Sequence, residues 1–286
     1  MKTVLGIVAS KRRLGNCEIL VKEISRQLSV PHELKLLRLP DFNLHYCTGC
    51  YRCLSSGGGC VLLDDLSSVL EAIAQADALI LAAPTYFLGA HSSLKIFLDR
   101  AIAFYAMGER LWGKPAVGVG VAGMEGKEGS THLDIEKFFA VILAENLQTR
   151  ILYGALPGEV LLTDENRKAI GQMAAALRGG APMKRQGTCP LCAGETFRLL
   201  QGNKARCMLC SHAGKVSFEN GRFTFSPESD DHPILFGKQN ARDHRDWLEG
   251  MKKLFRQRAK ELREVTGEYE NEGEWITPDS RPHEGH

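Results

Sequence analysis

This chain of 286 residues lacks long apolar runs, a strong net charge and a high aromatic content. No stretch reaches the roughly 20 consecutive apolar residues that a membrane-spanning helix needs, and the short apolar N-terminus lacks a signal-peptide core. The formal net charge is only +2, so no overall electrostatic field favours nucleic acid or a membrane surface as a partner. These absences predict a cytoplasmic protein that binds neither a membrane nor nucleic acid.

The even cysteine spacing of a secreted disulfide framework is also absent. Eight of the nine cysteines fall into two groups of four, and Cys17 stands alone. Such grouping is typical of metal sites in a reducing compartment. Cys17 is predicted to be a small core residue.

The first group is packed into one glycine-rich loop as Cys47, Cys50, Cys53 and Cys60. Three thiols at steps of three and a fourth after a gap can each bind one iron corner of a [4Fe-4S] cluster. Mononuclear zinc usually takes two well-separated cysteine pairs, so the spacing favours the cluster. A local zinc site, a redox disulfide and a loop without chemistry are the alternatives.

Five apolar runs alternate with helical patterns before residue 180, which predicts a doubly wound, five-stranded parallel sheet of the α/β class. The predicted strands are Thr3–Ala9, His32–Leu39, Ala78–Pro84, Pro115–Ala122 and Arg150–Ala155. The later predicted helices are Ser92–Tyr105, Leu133–Asn146, Glu165–Leu177 and, near the C-terminus, Asp243–Val265. The loops after the first four strands should meet at the carboxyl edge of this sheet, where such folds bind ligands.

The loop after the first strand reads Ser10-Lys-Arg-Arg-Leu-Gly-Asn16 and leads directly into a helix. Backbone N–H groups and the helix dipole make this junction an anion site. It matches neither the Walker nor the dinucleotide pattern, which favours a mononucleotide. An ordinary strand-to-helix turn with a solvated basic loop is the alternative.

The second group of cysteines forms two CxxC pairs, Cys189/Cys192 and Cys207/Cys210. This spacing predicts a structural zinc ribbon, with a rubredoxin-like iron site as the less favoured alternative. Since four thiolates complete the site, neighbouring His212 is predicted to lie on the surface. The predicted domains are residues 1–180 with the cluster loop 47–60, the ribbon 181–225, and a helical extension with a mobile tail over 226–286.

Together, the Ser10–Asn16 loop, the thiols of the 47–60 loop, Pro84-Thr-Tyr-Phe87 and the Gly123–Gly129 loop resemble the iron-sulfur flavoproteins. These belong to the flavodoxin-like, NAD(P)H-dependent FMN reductases. The resemblance covers about the first 180 residues, and the third loop is more charged than is usual. It implies that the FMN phosphate is held by Ser10, Arg12, Gly15 and Asn16. It further implies an isoalloxazine ring lined by Pro84, Thr85, Tyr86 and Phe87 and covered by Gly123, Met124 and Glu125.

FMN and an iron-sulfur cluster in one protein would connect carriers of electron pairs to carriers of single electrons. We therefore expect an electron-transfer oxidoreductase with a ferredoxin-like protein or NAD(P)H as its redox partner, assembled as a homodimer or homotetramer. No acid–base residue pair is predicted, because the flavin supplies the chemistry. The alternatives are an NAD(P)H-dependent FMN or quinone reductase without a cluster, and a redox-responsive binding protein that uses the ribbon and the basic C-terminal helix.

Overall fold

The computed structural model of the chain describes residues 2–54, 59–179, 186–234 and 237–276. Its main sheet has five parallel strands in the order β2-β1-β3-β5-β6, and the short β4 pairs antiparallel with β3. This is the strand order of the flavodoxin-like fold, as the sequence predicted. The strands of this sheet are β1 (Thr3–Val8), β2 (Glu33–Arg38), β3 (Ala78–Tyr86), β4 (Gly89–Ala90), β5 (Pro115–Ala122) and β6 (Glu145–Tyr153).

Helices cover both faces of this sheet because alternate side chains of its buried strands point to opposite sides. Leu79 and Leu81 of β3 pack in one apolar cluster with Phe138, whereas Ile80 packs in the other with Ile24. The helices are α1 (Asn16–Arg26), α2 (Leu66–Gln75), α3 (Ser92–Leu98), α4 (Gly108–Leu111), α5 (Thr131–Val141) and α6 (Asp164–Leu177).

Helix α5 packs unusually close to β5 because that strand carries glycine in its centre. A Cβ atom added to Gly118 would lie 2.3 Å from a methyl group of Ile135. A Cβ atom added to Gly120 would likewise lie 2.9 Å from the methyl group of Thr131, the first residue of α5, so the start of this helix packs closely on the strand as well.

Two helix predictions in this region were wrong. The helix predicted to continue to Asn146 ends at Val141, and β6 begins at Glu145 rather than Arg150. The reason is Leu143, which has a left-handed backbone (φ 49°), while the Ala144 N–H bonds to the Phe139 carbonyl. This is a helix stop that usually requires glycine, so the sequence carried no signal for it.

The helix predicted over Ser92–Tyr105 is interrupted. It ends at Leu98, and a 3₁₀ segment follows at Ala101–Met107. Between them the backbone makes tighter bonds, from the Arg100 N–H to Phe97 and from the Ala103 N–H to Arg100. The interruption brings the Arg100 side chain into the interior, where it is only 2% exposed.

A second, four-stranded antiparallel sheet has the order β10-β9-β8-β7. Its strands are β7 (Phe197–Leu199), β8 (Lys204–Cys207), β9 (Ala213–Glu219) and β10 (Arg222–Pro227). The predicted boundary at residues 180–181 and the end of the predicted tail lie outside the described residues.

The C-terminal helix predicted over Asp243–Val265 is two helices, α7 (Lys238–Gln257) and α8 (Ala259–Gly267). The chain separates within α7 into two compact units, residues 1–245 and 246–286. None of the helices described for this chain has the length and hydrophobicity needed to span a bilayer.

Candidate functional site

The loop between β1 and α1 lies at the carboxyl edge of the sheet and begins with the buried Ser10. The Ser10 hydroxyl accepts a hydrogen bond from the Arg12 N–H at 3.2 Å. Gly15 precedes the first turn of α1, whose N–H groups have no partners within the helix. The loop therefore offers backbone donors to an anion, while the Lys11 side chain is paired with Asp41 at 3.1 Å.

A partly buried ion pair supports this loop. Glu18 in α1 accepts a hydrogen bond from the Leu14 N–H at 2.9 Å and binds Arg38 at 2.7 Å. Arg38 also donates to the backbone carbonyls of Ser10 and Arg12. Burial alone would raise the pKa of Glu18, but the hydrogen bonds from Lys22, Arg38 and Leu14 lower it to about 2. Glu18 is thus an anion at neutral pH and holds the loop in shape.

Asn16 connects the same loop to the loop after β6. Its amide NH₂ donates to the Gly154 carbonyl at 2.9 Å, and its amide oxygen accepts from the Gly158 N–H at 2.8 Å. The side chain predicted to hold a phosphate thus positions two loops against each other.

The segment Pro84–Phe87 forms the end of β3 and a tight hairpin turn to β4. Tyr86 pairs with Gly89, so Phe87 and Leu88 occupy the turn, both with left-handed backbones (φ 49° and 65°). Such turns usually contain Asn-Gly, and bulky residues there are strained. The Phe87 ring is fully exposed and Tyr86 is half-exposed, as a platform for a planar ligand would be.

The loop after β5 is fastened to this hairpin. The Leu88 carbonyl accepts a hydrogen bond from the Ser130 N–H at 2.7 Å. Asp134 accepts from the Ser130 hydroxyl at 2.9 Å and from the Ala90 N–H at 3.0 Å. The Thr85 and Thr131 hydroxyls lie 2.8 Å apart. This network brings the predicted Gly123, Met124 and Glu125 to the same edge of the sheet, with Met124 65% exposed.

The four thiols of the 47–60 loop line one cavity of about 170 Å³, together with the segment that follows α3. Cys47 and Cys50 are exposed, and Cys53 and Cys60 are half-buried. Hydrogen bonding from the Arg52 backbone N–H, with further bonds from Thr48 and Arg52, lowers the pKa of Cys50 to about 7. A thiol with that pKa is about half ionised at neutral pH, and the thiolate is the form that binds metal.

The neck of this loop is closed by a buried ion pair. Arg100 binds both Asp64 oxygens, at 2.6 and 3.2 Å, and each side chain is 1% exposed. The same two residues hold His45, whose N–H donates to Asp64 and whose carbonyl accepts from Arg100. Asp65 adds a backbone bond and a side-chain bond to Asn43. Residues just before Cys47 and just after Cys60 are therefore fixed together.

Helix α3 connects this cavity to the aromatic hairpin. The ring of His91, which caps the start of α3, contacts Tyr86 edge-on at 5.5 Å between centroids. Arg100, two residues beyond the end of α3, contributes to the wall of the thiol cavity. A helix of seven residues rises about 10 Å, so α3 holds its hairpin end and its cavity end about that far apart.

The second group of thiols forms a compact metal site. The sulfur atoms of Cys189 and Cys210 are 3.7 Å apart, and those of Cys192 and Cys207 are 3.5 Å apart. Among the described residues, these four form the only group of three or more metal-ligating side chains whose ligand atoms all lie within 4.8 Å. The ribbon prediction for these four cysteines is confirmed as a four-thiol metal site.

His212 was predicted to lie on the surface, but it is only 7% exposed. Ser211 has a left-handed backbone (φ 65°), and this turn brings His212 inward, where its Nδ1 is 3.3 Å from the Cys210 carbonyl. Ala193 makes the equivalent turn after Cys192 (φ 59°). The two CxxC turns are thus alike, and both present sulfur toward the same point.

Sequence reasoning missed the residues that support these sites. Arg38 and Arg100 are far in sequence from the loops that they hold. Glu18 and Asp134 lie only two and five residues beyond the Ser10–Asn16 and Gly123–Gly129 loops, but nothing in their local pattern marked them as supports, and no ion pair was predicted for Asp64. One available signal was an arginine in an otherwise helical apolar pattern, as at Arg100.

Cys17, by contrast, is buried as predicted, and burial raises its pKa to about 12.

Several known proteins resemble this chain. An iron-sulfur flavoprotein of Archaeoglobus fulgidus is 29% identical over 178 residues, which are 62% of this chain and 79% of that protein. An iron-sulfur flavoprotein of Methanocaldococcus jannaschii is 32% identical over 142 residues, 48% of this chain and 72% of that protein. A solved structure of a flavone reductase superposes with a TM-score of 0.72 and 18% identity, covering 97% of this chain and all of the other, and so shares its fold.

Residues 2–146 match the family model described as NADPH-dependent FMN reductase. This range contains the phosphate loop, the aromatic hairpin and the loop after β5. Because the match extends over half of the chain and includes all three loops at the carboxyl edge, this FMN-dependent oxidoreductase belongs to the NADPH-dependent FMN reductase family.

Proposed function

We propose that this flavoprotein carries a [4Fe-4S] cluster beside its FMN and transfers electrons between a one-electron carrier and an acceptor reduced by the flavin. The observation that carries the proposal is the single cavity lined by all four thiols of the 47–60 loop. Two relatives named iron-sulfur flavoprotein support it. When bound, FMN would accept or release electrons in pairs, and the cluster would pass them one at a time.

The residues proposed to hold FMN fall into three sets. Ser10, Arg12, Gly15 and Asn16 form the phosphate loop, Pro84, Thr85, Tyr86 and Phe87 the ring platform, and Gly123, Met124 and Glu125 the cover. Within the first set, the backbone of Gly15 and Asn16 and the Ser10 hydroxyl surround the phosphate position, while the Asn16 side chain fixes the loop. Thr85 and Ser130 contribute to rigidity, because their bonds join the platform to the cover.

The thiol loop fits a cluster better than a single ion. No three of its thiols belong to a group with ligand atoms within 4.8 Å, although all four face the same cavity. A cubane has one iron at each of four corners, so its thiolates must be farther apart than those around one ion. Cys47, Cys50, Cys53 and Cys60 are therefore the proposed cluster ligands.

The other four thiols fit one zinc ion. Thiolates at about 2.3 Å from a tetrahedral zinc ion lie about 3.8 Å apart, close to the 3.5 and 3.7 Å measured here. We assign residues 1–180 to the flavodoxin-like domain, 181–225 to the ribbon and 226–286 to the helical extension. We further propose a homodimer or homotetramer, with NAD(P)H or a ferredoxin-like protein as the redox partner.

Anaerobic purification followed by metal, sulfide and flavin analysis tests the proposal. We expect about four irons and four sulfides, one FMN and one zinc per chain. The matched variants are Cys53→Ser, which should lose iron and sulfide but keep FMN, and Cys17→Ser, which should keep all three. FMN without acid-labile sulfide in the unaltered protein would instead identify a cluster-free NAD(P)H-dependent reductase.

A further inference from the structure

Arg100 is a buried cation that lines the proposed cluster cavity. Its side chain is 1% exposed, and the residue contributes to the cavity wall together with Cys60. Burial opposes the charge on Arg100, while the hydrogen bonds that it donates to Asp64 and its interaction with Cys60 raise the pKa of its guanidinium. The side chain is therefore a permanent positive charge in a water-poor environment.

Only some N–H groups of the Arg100 guanidinium have hydrogen-bond partners among the described residues. Its two terminal nitrogens are engaged by Asp64 and by the His45 carbonyl. Its Nε atom is buried and has no hydrogen-bond partner among the described residues. Leaving a charged buried donor unpaired is costly, so such a donor calls for an acceptor.

We propose that the Arg100 Nε–H group donates a hydrogen bond to the Cys60 thiolate or to an adjacent sulfide of the cluster, and that it thereby raises the reduction potential of the cluster. This inference rests on the proposed function, because it requires the cluster. Arg100 acts as a positioning and tuning residue: Asp64 holds its terminal nitrogens, and the rigid fork directs Nε–H toward the cavity.

The expected direction of the effect follows from charge. A cluster bound by four thiolates is negative and becomes more negative when reduced. A nearby cation and an N–H···S hydrogen bond both stabilise the reduced form, which raises the potential. Asp64 binds the end of Arg100 that is farther from the cluster. Its negative charge weakens the effect of the Arg100 charge on the potential, but it does not remove the Nε–H hydrogen bond.

Redox titration of the cluster, followed by EPR under anaerobic conditions, tests the inference in the full-length protein. Arg100→Lys keeps the charge but removes the Nε–H donor, so the potential should fall. The double variant Arg100→Gln with Asp64→Asn removes both buried charges together and avoids an unpaired one; its potential should fall further. Arg110→Lys is the matched control, because Arg110 also binds a carboxylate through both terminal nitrogens, yet does not line the cavity.

Iron, sulfide and FMN contents are measured beside each potential. Full cluster content with an unchanged potential in Arg100→Lys overturns the inference and leaves the proposed function intact. An unaltered protein without acid-labile sulfide overturns both.

If the Arg100 variants do not fold, electron spin-echo spectroscopy of the reduced cluster, in protein that keeps Arg100, tests the inference instead. The protein is labelled with guanidino-¹⁵N arginine in an Arg52→Lys background, because Arg52 also lies beside a loop thiol. A ¹⁵N coupling to the cluster supports the proposal, and its absence overturns it.

Discussion

Gly129 lies so close to the Leu88 backbone that a Cβ atom added to it would be 2.0 Å from the Leu88 carbonyl oxygen. That carbonyl accepts the hydrogen bond from Ser130 that joins the loop after β5 to the aromatic hairpin. Gly129 also has a left-handed backbone (φ 52°). The contact between two proposed FMN-binding loops therefore depends on the absence of a side chain at this position.

We expect Gly129→Ala to weaken FMN binding by at least tenfold, because the two loops must separate by more than an ångström. The FMN dissociation constant, measured by recovery of flavin fluorescence, checks this. Gly126→Ala is the control, since Gly126 is also left-handed (φ 71°) but has nothing within 4 Å of its Cβ position. It should cost only the backbone strain, about 1–2 kcal/mol of stability. Equal effects of the two substitutions would contradict the proposed role of the contact.

The Glu18 carboxylate gives a second prediction, at the phosphate loop. Glu18→Gln removes one charged partner of Arg38 and weakens the bond to the Leu14 N–H, so FMN affinity at pH 7 should fall by about tenfold, the value of one charge-assisted hydrogen bond. Glu23→Gln, which alters the more exposed pair with Arg26 on the same helix, should have little effect.

The lowered pKa of Glu18 also predicts how the stability that this carboxylate contributes depends on pH. A carboxyl group whose pKa falls from 4.5 to about 2 on folding adds stability above pH 4.5, and that stability is lost as the pH falls toward 2. The difference in the free energy of unfolding between the unaltered protein and Glu18→Gln, measured by urea denaturation, should therefore narrow as the pH is lowered from 4.5 toward 2. A difference that stays constant over that range would argue against an ionised Glu18 as the support of the loop.

The sequence predicted the main sheet because its signals are local. Buried parallel strands appear as apolar runs, and β5 was located at its exact bounds, Pro115–Ala122. The misplaced ends of α3 and α5 have causes that local patterns do not show. Leu143 adopts a conformation that glycine normally adopts, and the chain at Arg100 turns inward toward a partner 36 positions away.

Parts of the candidate site could likewise be predicted from the sequence, and other parts could not. The CxxC pairs and the thiol loop are visible as spacing, because the proposed metal ligands lie close together in sequence. The supports of those loops are not visible, because Asp64 with Arg100 and Glu18 with Arg38 meet only after the strands have paired. A buried salt bridge is specified by the fold as a whole, so its partners cannot be matched from one sequence.

His132 lies on α5 beside the ribbon, and it gives a third prediction, which concerns how the stability of this contact depends on pH. Its imidazole lies 3.5 Å from Glu136 and 3.9 Å from Glu195. Burial opposes its charge, but the two carboxylates raise its pKa above the ordinary 6.5. A raised histidine pKa contributes stability that is complete below pH 6.5 and is lost as the pH rises through the folded-state pKa.

Hydrogen exchange of residues 186–199, compared between pH 6 and pH 9 after correction for intrinsic rates, measures this effect. Protection should decrease as the pH rises in the unaltered protein. His132→Gln and Glu195→Gln should each weaken that dependence, because either one removes the charge pair. A pH dependence that persists in both variants would mean that another group controls this contact.

The fourth prediction concerns the metal of the ribbon. The ribbon core contains little besides Cys189, Cys207, Cys210 and Phe225, with a few partly buried neighbours. So small a core cannot offset the loss of chain entropy without the ion, because binding of a structural zinc is itself the main source of folding free energy. Cys207→Ser, or treatment with a strong chelator, should therefore unfold residues 186–227 while the parallel sheet retains FMN.

Two measurements on the same sample test this prediction. Metal analysis should show the loss of one zinc per chain, and hydrogen exchange should show loss of protection in β7–β10 but not in β1, β3 or β5. Cys192→Ser should behave in the same way, because its sulfur lies 3.5 Å from that of Cys207. The prediction fails if the strands β7–β10 stay protected after the metal has been removed, or if FMN is released together with the metal. The second result would show that the ribbon supports the flavin site as well as itself.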